Sequence, residues 1–95
     1  MSKQLDIVIP VLNEEKTLYT QIEKLFYFLK NCNINYKIII VDNGSKDGTK
    51  IEAQRLISKY KNNITYLDVK IIGVGIALKT AWKKSSSEYL CFMDL

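Results

Sequence analysis

The chain has no histidine, one proline (Pro10), one arginine (Arg55) and only two cysteines, Cys32 and Cys91, far apart in the sequence. Zinc sites draw on clustered Cys and His at short spacings, so that chemistry is excluded. The cysteine pair leaves open a disulfide or two free thiols, and free thiols in a reducing compartment are the expectation. A dedicated nucleic-acid binder clusters its basic residues and favours arginine for its forked contacts. With one arginine and lysines scattered along polar faces, no nucleic-acid partner is expected. No apolar stretch approaches the roughly 18–20 residues of a membrane span. The N-terminus also lacks the apolar core of a signal peptide. A soluble, cytoplasmic chain is expected. What remains is an ordinary globular composition: 95 residues, 47% hydrophobic, 25% charged, with a net charge of +4 and a pI near 9.1. That length suits one small domain with a thin core.

Four short apolar runs alternate with three amphipathic segments. Leu5 to Ile9 is the first run and Pro10 is expected to stop it. The second, Tyr36 to Val41, is rich in β-branched residues, and Ile64 to Val69 is weaker. Tyr89 to Met93 is the last. Near-continuous apolar runs suit strands buried on both faces of a parallel sheet. Between them the period becomes helical. Leu18, Ile22, Leu25, Phe26 and Leu29 share one face, as do Ala53, Leu56, Ile57 and Tyr60, and then Ala77, Leu78, Ala81 and Trp82. Asn13 is expected to cap the first helix, with Glu14 and Glu15 in its first turn, favoured by the helix dipole. Thr49-Lys50-Ile51-Glu52 has the pattern of a capping box for the second. The order β-α-β-α-β-α-β predicts an α/β fold: an open parallel sheet of about four strands with helices on both faces.

In such sheets ligands bind beyond the carboxyl ends of the strands. Those ends carry Pro10 to Glu15, Asp42 to Thr49, Gly73-Val74-Gly75 and Asp94. Their convergence on one edge is the argument for a site. Each piece also has a plainer reading. Asn13-Glu14-Glu15 serves equally as a helix start. Asp42-Asn43-Gly44-Ser45 serves as a tight turn, since Asn and Gly adopt positive φ and Asp bonds its own backbone. Gly73-Val74-Gly75 lacks the third glycine of a dinucleotide loop, with Leu78 in its place, and follows the wrong strand for one.

Ile9-Pro10-Val11-Leu12-Asn13-Glu14-Glu15 resembles the first-strand motif of family 2 glycosyltransferases. Val41-Asp42-Asn43-Gly44-Ser45-Lys46-Asp47-Gly48-Thr49 resembles the family's second-strand motif, with Asn43 where Asp is usual. Gly73 to Lys79 is similar to its glycine-rich segment. Tyr89 to Leu95 is similar to the strand that enters the DxD motif. Within the family the combination is most similar to polyprenyl- or dolichyl-phosphate sugar transferases. The resemblance implies the Rossmann-like N-terminal half of a GT-A fold and a donor subdomain over residues 1–95, apparently truncated at the DxD motif. It implies that Pro10, Leu12 and Glu14 line the nucleoside pocket and that Asp42 accepts a hydrogen bond from the base. Asn13, Asn43, Gly44, Gly73, Gly75 and Lys79 complete the donor-binding set, and Asp94 lies at the ribose and the metal. The implied cofactor is Mg²⁺ or Mn²⁺, not held stably by this chain alone. The implied donor is a UDP, GDP or TDP sugar, transferred with inversion to a polyprenyl phosphate or a glycan.

The resemblance further implies no catalytic residue within the chain, hence no activity on its own, and a missing C-terminal half. Weak homodimerisation through newly exposed surface is also expected, as is a parent protein at the cytoplasmic face of a membrane. Two readings from other classes stand beside it. A non-catalytic nucleotide-binding or receiver-like module would want an acidic pair directly after strand one, and Glu14 and Glu15 sit too far past Pro10. A nucleotidyltransferase would want a glycine- and arginine-rich loop there, which is absent.

Overall fold

A computed structural model of the chain describes residues 4–32, 34–68 and 89–92. Four strands and two helices are described: β1 (Gln4–Val11), α1 (Leu18–Lys30), β2 (Asn35–Asp42), α2 (Thr49–Lys59), β3 (Ile64–Asp68) and β4 (Tyr89–Phe92). All pairings are parallel, in the order β3-β2-β1-β4. The chain therefore steps outward twice on one side of β1 and returns on the other. The point where strand order reverses lies between β1 and β4, the position where open α/β sheets form a crevice.

Register sorts the side chains. Ile7 stands opposite Ile38, and Ile9 opposite Ile40. These residues point to the face that α1 and α2 cover, where Leu18, Ile22, Phe26 and Leu29 of α1 and Ala53 and Leu56 of α2 complete the core. Val8, Ile39 and Val41 alternate to the opposite face and are equally buried. That two-sided burial explains why β1 and β2 read as continuous apolar runs. Both described helices lie on one face; the third helix expected around residues 77–82 lies outside the described residues. At the amino end of the strands Phe26 stacks on Tyr60 with ring centres 4.0 Å apart, and Lys59 and Tyr60 both donate to the Glu23 carboxylate. Glu23 is thereby held below its ordinary value, and Lys59 is raised to about 12 by the same carboxylate.

Three local expectations are corrected. β1 does not stop at Pro10 but runs to Val11. Asn43 N–H donates to the Val11 carbonyl at 3.0 Å, so Val11 turns its polar groups toward β2. Pro10, one residue earlier, turns toward β4, where the described ladder ends at Val8. Its missing N–H interrupts no described bond. Secondly, Asn13, Glu14 and Glu15 do not start α1. The Glu14 carbonyl accepts from Thr17 and Leu18 N–H in a separate turn, and the helix begins at Leu18 with no acid in its first turn. Thirdly, the capping box does not form. Thr49 is already helical, and its N–H is taken by the Asp47 side chain at 2.9 Å. Cys32 is a free, exposed thiol; the Cys91 side chain lies outside what is described. Among the described residues no helix is long and apolar enough to cross a membrane.

Candidate functional site

The carboxyl ends of β1 and β2 lead into two loops, residues 12–17 and 43–48, that hydrogen-bond to each other along their length. Asn13 N–H donates to Ser45 Oγ at 2.8 Å, and Lys46 N–H donates back to Asn13 Oδ1 at 2.9 Å. Glu14 N–H donates to Thr49 Oγ1 at 2.8 Å. Glu15 N–H reaches Asp47 Oδ2 at 3.3 Å. The Thr49 hydroxyl in turn donates to Asp47 Oδ1, so one fully buried hydroxyl links both loops to the first turn of α2. A Cβ at Gly48 would stand 2.5 Å from Glu15 Oε2, which shows how closely the loops approach.

Two residues have the backbone this clasp requires. Asn13 has φ 53° and Gly44 φ 87°. For a side chain with a Cβ the left-handed region costs about 1–2 kcal/mol, and Asn and Gly are the residues that enter it most readily. The Asn13 side chain therefore serves a residue 33 positions away and not the helix behind it. Asp47, holding the Thr49 hydroxyl and the N–H groups of Thr49 and Glu15, is kept below the ordinary aspartate value, with the Thr49 hydroxyl the main cause.

Asp42 ends β2 on the helix-covered face and is 2% exposed. Its Oδ1 accepts Ser45 N–H at 2.8 Å, closing the turn at Gly44. Its Oδ2 accepts the Tyr66 hydroxyl at 2.6 Å. In the β2–β3 register Asp42 stands opposite Asp68. Tyr66, two residues earlier, shares that face and leans diagonally across. Burial, and then the hydrogen bond it donates to Asp42, raise Tyr66 well above its ordinary value, so the phenol keeps its proton and remains a donor. No signal in the sequence marked Tyr66; only strand register brings it to Asp42.

The other expected site residues fall as follows. Pro10 is half-buried in β1, Leu12 is exposed at its end, and Glu14 is half-buried, its Oε2 accepting from Thr17 Oγ1 at 3.0 Å. Asn43 is buried and Gly44 half-buried. The structure thus brings Pro10, Leu12, Asn13, Glu14, Asp42, Asn43 and Gly44 to one edge. Gly73, Gly75, Lys79 and Asp94 lie outside the described residues. Among the described residues no group of three or more Cys, Asp or Glu could hold a metal ion. The strand ends and the two loops carry Glu14, Glu15, Asp42, Asp47 and Asp68 against Lys16 and Lys46. As described, this edge is net acidic.

Residues 6–95 match the model of the glycosyl transferase family 2. The chain is 33% identical over 101 residues to a dolichyl-phosphate beta-glucosyltransferase of Homo sapiens, an alignment covering 98% of this chain and 31% of that protein. To a dolichol-phosphate mannosyltransferase of Pyrococcus furiosus it is 32% identical over 93 residues, covering 96% of this chain and 25% of the other. Among solved structures, a mannosyltransferase from Pyrobaculum calidifontis in complex with GDP-Man and Mn²⁺ superposes with a TM-score of 0.78 at 20% identity, over 99% of this chain and 28% of that one. The glucosyl-3-phosphoglycerate synthase from Mycobacterium tuberculosis, in complex with Mn²⁺, UDP and glucosyl-3-phosphoglycerate, gives 0.73 at 23% identity, over 97% and 33%. This chain spans between a quarter and a third of the length of these relatives.

Proposed function

Because the chain belongs to the glycosyl transferase family 2, we propose that its clasped loops form the nucleoside-binding edge of an enzyme that transfers a sugar from a nucleotide-diphosphate donor. One observation carries the reading. The two motif-bearing loops are locked together at the carboxyl ends of β1 and β2, beside the strand-order reversal between β1 and β4. In this reading Pro10, Leu12 and Glu14 flank the nucleoside, and Asn13, Asn43 and Gly44 shape the backbone around it. Asp42 accepts a hydrogen bond from the base with lone pairs that Ser45 and Tyr66 leave over. A carboxylate has about four acceptor sites, so two remain.

The donor's diphosphate would approach an edge that is itself net acidic. Like charges disfavour such binding, which supports a divalent cation, Mg²⁺ or Mn²⁺, as the neutralising group. Asp94, with Gly73, Gly75 and Lys79, is proposed for the cation and phosphate side of the site. The reaction in this reading is a single displacement. An acceptor oxygen, of a polyprenyl phosphate or of a glycan hydroxyl that gives up its proton to a general base, forms the new bond to the anomeric carbon from the face opposite the diphosphate. The bond to the nucleoside diphosphate breaks, and the configuration inverts.

The test is a titration of the chain with UDP, GDP and TDP, with and without Mn²⁺, following the amide signals of Asp42 and Gly44. Shifts that saturate and differ among the bases are expected. No response at millimolar nucleotide would overturn the proposal.

A further inference from the structure

Asp42 is nearly inaccessible, yet its side chain is not left to find its own orientation. A backbone N–H holds one oxygen and a phenol holds the other, at 2.8 and 2.6 Å. The phenol comes from a different strand. Its ring packs against the core, so the position of its hydroxyl is fixed by packing and not by a rotamer search. A second carboxylate, Asp68, sits opposite Asp42 in the register and is exposed. Ser45 N–H alone would hold only Oδ1 and leave the carboxylate free to turn about that bond; the Tyr66 hydroxyl on Oδ2 removes that freedom. Two charge-assisted bonds, one from the turn backbone and one from a tyrosine packed against the core, fix the carboxylate plane. Fixing the plane decides which lone pairs are left for a ligand.

We propose that Tyr66 is a positioning residue for base selection: its hydroxyl, by holding Oδ2 of Asp42, sets the direction of the lone pairs that Asp42 offers to the nucleobase. This rests on the reading of Asp42 as the residue that meets the base. The role is separable from stability because selection is read as a ratio between nucleotides, which a uniform loss of folded protein does not change. Removing its hydroxyl leaves a carboxylate that still attracts donors but no longer discriminates their geometry. Affinity contributed by the diphosphate and cation stays as it was. The two nucleotides therefore converge in affinity.

The experiment measures dissociation constants of UDP and GDP, in Mn²⁺, for the unsubstituted chain, Tyr66→Phe and Asp42→Asn, together with inorganic pyrophosphate as a base-free reference. Thermal melts run in parallel. Expected is a ratio between the two nucleotides that falls by about tenfold in Tyr66→Phe, one hydrogen bond's worth of discrimination. Pyrophosphate binding should change by less than about twofold, since the substitution leaves the phosphate side untouched. A ratio that falls in Asp42→Asn but stays unchanged in Tyr66→Phe would overturn the role of Tyr66 and leave that of Asp42 standing. A ratio unchanged in both, or no discrimination by the unsubstituted chain, would overturn the reading of Asp42 and the inference with it. Equal losses for UDP, GDP and pyrophosphate in Tyr66→Phe would mean a structural role only, and would also overturn it.

Discussion

Thr49 is the residue on which the clasp turns, and its replacement by valine isolates what the clasp contributes. The side chain is fully buried, and valine has nearly its shape. Thr49→Val therefore keeps the packing while removing the acceptor for Glu14 N–H and the donor to Asp47 Oδ1. Asp47 is exposed and retains its backbone donors, so most of the loss falls on Glu14. A part-buried amide left without a partner costs about 1–3 kcal/mol. A domain of this size has roughly 5–15 kcal/mol of stability in all. About 2 kcal/mol should lower Tm by roughly 8–16 °C, at about 4–8 °C per kcal/mol. Thr49→Ser is the control: it keeps the hydroxyl and loses one buried methyl, worth about 1 kcal/mol. Thermal unfolding followed by circular dichroism gives both values, and the Glu14 amide shift reports the bond directly. If serine costs as much as valine, or if the Glu14 amide does not move in Thr49→Val, packing and not the hydroxyl holds the loops, and the reasoning fails.

Asn13→Gly should cost about 1 kcal/mol, because it keeps the positive φ and loses only the bond to Lys46, whereas Asn13→Ala should cost about 2 kcal/mol by losing both. Urea unfolding that ranks alanine equal to glycine would remove the backbone argument. Gly44→Ala should cost about 1–2 kcal/mol for the same reason of backbone sign, and its amide network should move together with that of Ser45 in NMR spectra. Asp47 is held below its ordinary value of 3.8 in the folded chain. Its contribution to stability is therefore present above that value and lost as pH falls through the lower folded one. Melts from pH 5 to pH 2.5 should show a steeper acid loss in the unsubstituted chain than in Asp47→Asn; parallel curves would contradict the assignment. Leu56→Ala should cost about 2–5 kcal/mol as a buried cavity under both helices, read as a lower urea midpoint at an unchanged slope.

The strands were legible because β1 and β2 are buried on both faces, and burial of that kind leaves apolar runs that no other element explains. α1 was legible because Leu18, Ile22, Phe26 and Leu29 repeat at helical spacing and all proved buried. The caps were misread for a physical reason. Asn13 and Thr49 have the side chains of helix starts, but a hydroxyl or amide bonds whatever the tertiary structure brings near it. Here that was the neighbouring loop, 33 and 35 positions away. Pro10 misled because a missing N–H ends a strand only where a partner needs it. The carboxyl edge was foreseeable from Asn13, Asp42 and Gly44. Tyr66 was not, since a tyrosine in a weak strand carries no mark of the residue it will face until the register of β2 and β3 is fixed.

Loops that receive a ligand usually become ordered when it arrives, and the entropy lost then is subtracted from affinity. The two loops of this chain are joined by three hydrogen bonds, with a fourth from Glu14 N–H to the buried Thr49 hydroxyl beneath. Their ordering is charged to folding instead. The amides of Asn13, Glu14, Ser45 and Lys46, each held by a hydrogen bond of this clasp or turn, should therefore exchange with solvent more slowly than unbonded loop amides beside them. In the donor-binding reading proposed above, a substitution that weakens the clasp should therefore weaken binding even where it touches nothing the ligand touches.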